Sequence, residues 1–238
     1  MYMATKEEKL ANDRREMVQR HLRGRGITDE RILEAFAWVP REVFLPPDRW
    51  VEAYADHPIP IGFGQTVSQP YLIALMLQEL APRPGQHILD VGLGSGYQTA
   101  ILAQVVGHVY AVERIEELTE RALGALGKLD VNNVTVCTAD GSLGWPEEAP
   151  FDGIICGAAA PTLPHPWVTQ LLDGGRIVLP IGGPDQQVLA VFTRHGSEMR
   201  RRDICEVRFV KLVGKEGWQE EEVLIGSRRI RVPASPKE

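Results

Sequence analysis

The sequence predicts an α/β protein built on a doubly wound, mostly parallel sheet, with extra helices at its N-terminus and an antiparallel end. Three observations carry this. Between Gln86 and Pro180, short apolar runs alternate with amphipathic stretches. A parallel sheet covered by helices on both faces has strands of that continuous apolar kind. The first such run ends in Asp90-Val91-Gly92-Leu93-Gly94-Ser95-Gly96, a glycine-rich turn that leads into a helix. Beyond Pro180, two strand-like stretches follow with no helix between them, which calls for antiparallel pairing.

Taken in order, residues 5–23 show helical spacing, with Leu10, Met17, Val18 and Leu22 on one side. Gly24 and Gly26 end that helix, and Thr28 or Asp29 can cap a second one reaching Ala37. Pro40, Pro46 and Pro47 then break the pattern, and 57–70 reads as a loop before an apolar helix over 71–80. In the core, strands are expected over 87–91, 108–113, 134–137, 151–156 and 176–180. Helices are expected over 95–106, 115–128 and 166–172, and the two final strands over 187–194 and 205–213. The tail from Glu220 is charged, and 233–238 is expected to be mobile.

Composition narrows the classes of function. The chain has 238 residues, 44% of them hydrophobic and 24% charged, which suits a globular protein and argues against disorder. No apolar run approaches the roughly 20 residues of a membrane span. A net charge of −6 gives no overall basic bias towards nucleic acid. The polar N-terminus is unlike a secretion signal. Cys137, Cys156 and Cys205 are odd in number and form no CxxC pair, and the six histidines show no HxH or HxxxH spacing. Neither a disulfide framework nor a metal site is expected, and a reducing cytoplasmic setting fits best.

The glycine turn decides between cofactors. Glycines at 92, 94 and 96 remove Cβ atoms where a ligand must touch backbone. A second strand ends in Glu113, and an acid there can accept both hydroxyls of a ribose. An adenosine-containing cofactor is therefore expected. The dinucleotide fingerprint Gly-x-Gly-x-x-Gly needs its third glycine where Tyr97 stands. Asp-x-Gly-x-Gly-x-Gly instead resembles the first motif of the class I methyltransferases, which bind S-adenosylmethionine. Ligands of such sheets sit beyond the carboxyl ends of the strands. Asp90 to Gly96, Glu113, Asp140-Gly141 and Gly157 to Pro161 are thus the candidate walls, the first three for the methionine, ribose and adenine parts. Asp140 can equally be a turn former before Gly141. In Gly64-Gln65-Thr66-Val67-Ser68-Gln69-Pro70, composition alone favours Ser68 as an N-cap over a ligand contact.

The segments VPREVFLPPDRW, IPIGFGQTVSQPYL, DVGLGSGYQTAILA, FDGIICGAAAP, LDGGRIVLPIG and VRFVKLVGKEGW occur in order over roughly residues 8–218. Together they resemble the protein-L-isoaspartate O-methyltransferase family, and Gly64 to Pro70 is the most restricted of them. Val67 stands where isoleucine is common, and nothing beyond Trp218 matches a family pattern. The resemblance implies N-terminal helices and a substrate loop over 1–82, a cofactor-binding core over 83–218 and a charged tail over 219–238, in one structural domain. It also implies a class I sheet whose last two strands are exchanged in order.

The activity it implies is methyl transfer from S-adenosylmethionine to the free α-carboxylate of L-isoaspartyl residues in damaged proteins and peptides, leaving S-adenosylhomocysteine. The alternatives are a relative that methylates normal aspartate in a specific peptide and a methyltransferase of small molecules. The implied cofactor residues are Gln65, Thr66, Val67, Ser68, Asp90, Gly92, Gly94, Ser95, Gly96, Glu113, Arg114, Asp140 and Gly141. Ile61, Thr66, Ser68 and Val213 are the implied substrate contacts. Ser68 is implied as the substrate positioner, which reverses the composition-based preference for a cap. No metal, nucleic acid or membrane partner is expected, and a cytoplasmic monomer is.

Overall fold

A computed structural model describes residues 5–225 and 228–233. Helix α1 (Lys6–Met17) starts at a capping box: Glu8 N–H donates to Thr5 Oγ1 and Thr5 N–H to Glu8 Oε2. A π turn and a 3-10 turn carry the chain to Gly26, and α2 (Glu30–Trp38) is capped by Asp29. The expected loop at 57–70 contains a small hairpin, β1 (Ile59–Gly62) and β2 (Gln65–Val67). Phe63 and Gly64 turn it at φ +54° and +69°, the left-handed geometry that suits the twist of a tight hairpin. Strands this short give no periodicity to read. Helix α3 (Pro70–Leu80) then leads into the core.

The main sheet holds β3 (His87–Val91), β4 (His108–Glu113), β5 (Val134–Thr138), β6 (Phe151–Cys156), β7 (Leu171–Gly182), β8 (Gln187–His195) and β9 (Glu198–Val207). Its order is β5-β4-β3-β6-β7-β8-β9. Pairing is parallel as far as β7 and antiparallel for β7–β8 and β8–β9, the expected architecture. Helices α4 (Tyr97–Ala103), α5 (Glu116–Gly127) and α6 (His165–Gln170) form the crossovers. Alternate residues point to opposite faces. Ile88, Ile155 and Val178 join a core shared with the N-terminal helices, while Leu89, Ile154 and Ile177 pack on the other face with Trp167 of α6.

One expectation needs correction. The last strand of the sheet spans 198–207, not 205–213: it is an edge strand whose run Arg200-Arg201-Arg202-Asp203 is exposed, so it lacks an apolar pattern. The charged tail holds a hairpin of its own, β10 (Glu220–Ile225) with β11 (Arg228–Pro233), in register from Glu220–Pro233 to Ile225–Arg228. The mobility expected for 233–238 otherwise falls on residues 234–238, outside the described ones. No helix among the described residues is long and apolar enough to cross a membrane.

Candidate active site

Three parallel strands, β3, β4 and β6, end side by side, and the turns that follow them form one cavity. At the first, Gly92, Gly94 and Gly96 all have positive φ, from +55° to +87°. A Cβ placed on Gly92 would meet no atom within 4 Å, so that face of the turn opens onto the cavity. Gly96 serves packing instead, since its Cβ would lie 3.2 Å from that of Ala122 on α5.

Asp90 lies behind the turn, wholly buried. Its Oδ1 accepts from Gln98 Nε2 at 2.8 Å and its Oδ2 from Thr99 Oγ1 at 2.6 Å. Both oxygens therefore brace the start of α4. Burial pushes the Asp90 carboxyl up to about 6, against the lowering effect of those two bonds and with a further rise from Glu113. An unfolded aspartate ionises near pH 4. Between about pH 4 and 6 the native state thus holds a proton the unfolded state has lost, and stability falls as pH rises through that window. We expect Asp90→Asn, which keeps the shape without the charge, to stabilise the fold at pH 7.5 by about 1–3 kcal/mol. The gain should vanish towards pH 4. Denaturant titrations across pH check this, and a loss at pH 7.5 would mean that the two hydrogen bonds outweigh the buried charge.

Glu113 is nearly buried at the end of β4 and does line the cavity. Its Oε2 accepts Gly94 N–H at 2.9 Å, and its Oε1 accepts the N–H groups of Arg114 at 2.8 Å and Ile115 at 3.0 Å. The carboxylate thus ties the glycine turn to the end of the neighbouring strand. Three of the roughly four acceptor directions of a carboxylate are used.

After β5, Gly141 lines the cavity and Asp140 does not. A Cβ on Gly141 would come within 2.7 Å of Val91 Cγ1, so only glycine keeps this wall flush. The oxygens of Asp140 accept from Ser142 N–H and Oγ–H, at 2.9 and 2.7 Å, and from Lys215 N–H at 2.7 Å. Its bonds are those of the turn former, the reading set beside the ligand role at first, and they fasten the 214–216 segment as well.

That segment completes the wall. Ala159 N–H donates to the Val210 carbonyl at 2.7 Å, Leu212 N–H to Ala159 at 2.8 Å, and Trp218 Nε1–H to Ala159 at 3.1 Å. Residues 208–213 are therefore held by the turn after β6, which brings Val210 to Val213 to the cavity beside Gly157 and Ala158. Among these, Lys211 adds a cation that the sequence reading missed, and its ammonium lies 4.8 Å from the Trp218 ring centroid.

The hairpin contributes Gln65 and Thr66 to the same cavity. Val67 is buried, and Ser68 follows at the hairpin's end, half-buried. Ser68 is no helix cap. Gln69 holds the cap position of α3 with no side-chain bond, and the half-buried N–H of Tyr71 is taken by Asp56 Oδ1 at 3.0 Å. Ile61 and Ser95 line an adjoining groove that shares Gly94. The sequence-derived residues thus divide. Gln65, Thr66, Gly92, Gly94, Glu113, Arg114, Gly141 and Val213 share one cavity, Ile61 and Ser95 flank it, Ser68 stands at the hairpin's end outside the lining, and Asp90, Gly96, Val67 and Asp140 support it from behind. Among the described residues no cluster of three or more His, Cys, Asp or Glu could hold a metal ion.

A glycine turn open to the cavity with an acid one strand away fits an adenosyl cofactor, and comparison with known proteins agrees. The sequence profile of the protein-L-isoaspartate(D-aspartate) O-methyltransferase family matches residues 12–217. A protein-L-isoaspartate O-methyltransferase of Methanoregula boonei is 46% identical over 209 residues, covering 88% of this chain and 96% of the relative. One from Marinobacter nauticus is 48% identical over 211 residues, with the same shares covered. A solved protein-L-isoaspartate O-methyltransferase superposes with a TM-score of 0.75 at 30% identity, over 83% of this chain and 65% of that longer one. A Plasmodium falciparum structure described as a beta-aspartate methyltransferase, in complex with S-adenosyl-L-homocysteine, superposes with a TM-score of 0.72 at 27% identity, over 83% of this chain and 96% of the other. Match, coverage and fold agree from the first N-terminal helix to Gly217, and the chain belongs to the protein-L-isoaspartate(D-aspartate) O-methyltransferase family.

Proposed function

We propose that this protein methylates the free α-carboxylate of L-isoaspartyl residues in damaged proteins and peptides, drawing the methyl group from S-adenosylmethionine. The observation that carries the reading is the single cavity shared by the glycine turn, Glu113 and the β1–β2 hairpin, in a chain of this family. When bound, the cofactor supplies an electrophilic methyl group on a sulfonium that leaves as a neutral thioether. The carboxylate oxygen forms the new C–O bond as the C–S bond breaks, and its electron pair stays on sulfur. A carboxyl group with pKa near 4 is already an anion at neutral pH, so the reaction needs no general base. The adjacent backbone amide nitrogen then attacks the ester carbonyl, giving up its proton as methanol leaves, and closes a succinimide whose hydrolysis returns some normal aspartate.

The protein's task is alignment and exclusion of water, which can lower a barrier by roughly 7–11 kcal/mol. In this reading Glu113 takes a ribose hydroxyl on its remaining acceptor direction, and Gly92 and Gly94 let the cofactor lie against backbone. Gly141 keeps the adenine end open, with Arg114 beside it, and Ser68 donates to the substrate carboxylate. Thr66 and Val213 flank the substrate backbone. The reading takes the protein as a cytoplasmic monomer, and the free thiols Cys137, Cys156 and Cys205 suit a reducing compartment.

The test is transfer of labelled methyl from the cofactor to an L-isoaspartyl peptide, scored as base-labile methyl ester. No ester above background would end the proposal. Ser68→Ala should then lower kcat/KM by roughly 10–100-fold, the worth of one hydrogen bond to a charged group. Calorimetry should find S-adenosylhomocysteine affinity almost unchanged. Full activity with lost stability would make Ser68 a structural residue.

A further inference from the structure

We propose that Arg41, which neither the sequence reading nor the cavity wall includes, is the positioning residue that sets the substrate hairpin against the cofactor turn. The inference rests on the function proposed above. Arg41 is wholly buried, and Asp56 and Glu52 favour its charge from nearby, but none of its described hydrogen bonds goes to a carboxylate. Its guanidinium serves backbone instead. Nη1 donates to the carbonyls of Ala53 at 2.8 Å and Ala55 at 3.2 Å, and Nη2 to those of His57 at 3.4 Å and Ser68 at 2.9 Å. These four carbonyls flank the β1–β2 hairpin on both sides, 53–57 before it and 68 after it. One rigid fork thus closes the base of the loop that carries Thr66 and Ser68.

The other side of the guanidinium meets the cofactor half. Arg41 Cζ lies 5.7 Å from the ring centroid of Tyr97, the residue next to Gly96 at the start of α4. Arg41 Nε and the Tyr97 hydroxyl are both buried without a partner. A buried cation with an unfilled donor is costly. Here it joins the carbonyl of Ser68 to the helix that opens from the glycine turn. The spacing between the Ser68 hydroxyl and the methyl donor therefore depends on a side chain that touches neither substrate nor cofactor.

Arg41→Lys is the informative variant, because an ammonium keeps the charge and up to three donors but cannot span four carbonyls as a planar fork. Folded sites are counted by S-adenosylhomocysteine titration, and kcat and KM for an L-isoaspartyl peptide are expressed per folded site. We expect affinity for S-adenosylhomocysteine within about threefold of wild type and kcat per site lowered about tenfold or more, since misplacement by 1 Å can cost about 100-fold. Arg41→Met, which has no donor, should fall further and bind the product cofactor wherever it folds. A Lys variant within twofold of wild-type kcat would overturn the proposal. So would an equal loss of cofactor affinity, which would give Arg41 a general structural role. An inactive wild-type protein would instead defeat the functional reading itself.

Discussion

An L-isoaspartyl peptide is expected to be methylated with kcat/KM roughly 100-fold or more above the same peptide carrying L-aspartate. In an isoaspartyl residue the main chain runs through the side-chain carbonyl, and the α-carboxylate stands free on a short arm. In a normal aspartyl residue the carboxylate sits one methylene further from the backbone. Gln65 and Thr66, paired with Gly62 and Pro60 across the hairpin, bound the cavity on one side, and Val210 to Val213, held through Ala159, bound it on the other. A carboxylate one methylene out of place cannot be brought into line without moving one of them. Removing 220–238 should leave the preference intact, because the family match ends at residue 217 and the β10–β11 hairpin lies beyond it. Equal use of both peptides, or esterification of the aspartyl form alone, would assign the protein to a branch acting on normal aspartate. Loss of preference on truncation would make the added hairpin part of substrate recognition.

What could be read from the sequence, and what could not, follows from where the information lies. Strands β3, β4 and β6 are buried on both faces, so each is written as an apolar run, and the turns at their ends carry glycines and acids whose chemistry is visible residue by residue. Strand β9 lies at the sheet edge with Arg200, Arg201, Arg202 and Asp203 exposed, and no apolar pattern marks it. The cap of α3 is Asp56, fifteen residues before the N–H it accepts, so local rules pointed to Ser68. Arg41 was invisible for a different reason. Its partners are backbone carbonyls, which every sequence possesses, and only the folded path of 53–68 brings them together. Val213 was expected at the site and the whole run 205–213 was expected to be a strand, but residues 210–213 lie outside the sheet. Their contacts are with the turn after β6, through Ala159, and not with the sheet edge.

Replacing Glu113 should have the largest effect on cofactor affinity. One acceptor direction of the carboxylate remains, and a charge-assisted bond from a ribose hydroxyl contributes about 1.5–3 kcal/mol. Glu113→Ala is therefore expected to weaken S-adenosylhomocysteine binding by roughly 10–150-fold, as every 1.4 kcal/mol is tenfold. The carboxylate also holds the N–H groups of Gly94, Arg114 and Ile115, so its loss frees the glycine turn from the end of β4. Those donors line a cavity that water can enter, which lets the fold survive the change. Glu113→Gln separates the two contributions. It keeps the shape and one acceptor oxygen but turns an N–H group towards one set of backbone donors, and it should fall between wild type and Ala, at about three- to fivefold. Calorimetry with S-adenosylhomocysteine measures both, and unchanged affinity in Glu113→Ala would remove Glu113 from the ribose site. NAD should not compete at any concentration. Where a dinucleotide site needs its third glycine, the ring of Tyr97 is wholly buried, with centroids 6.0 Å from Phe36 and 5.7 Å from Phe44. Freeing that position for a pyrophosphate would mean emptying a packed aromatic cluster, so saturable NAD binding would overturn the cofactor assignment together with the role of Glu113.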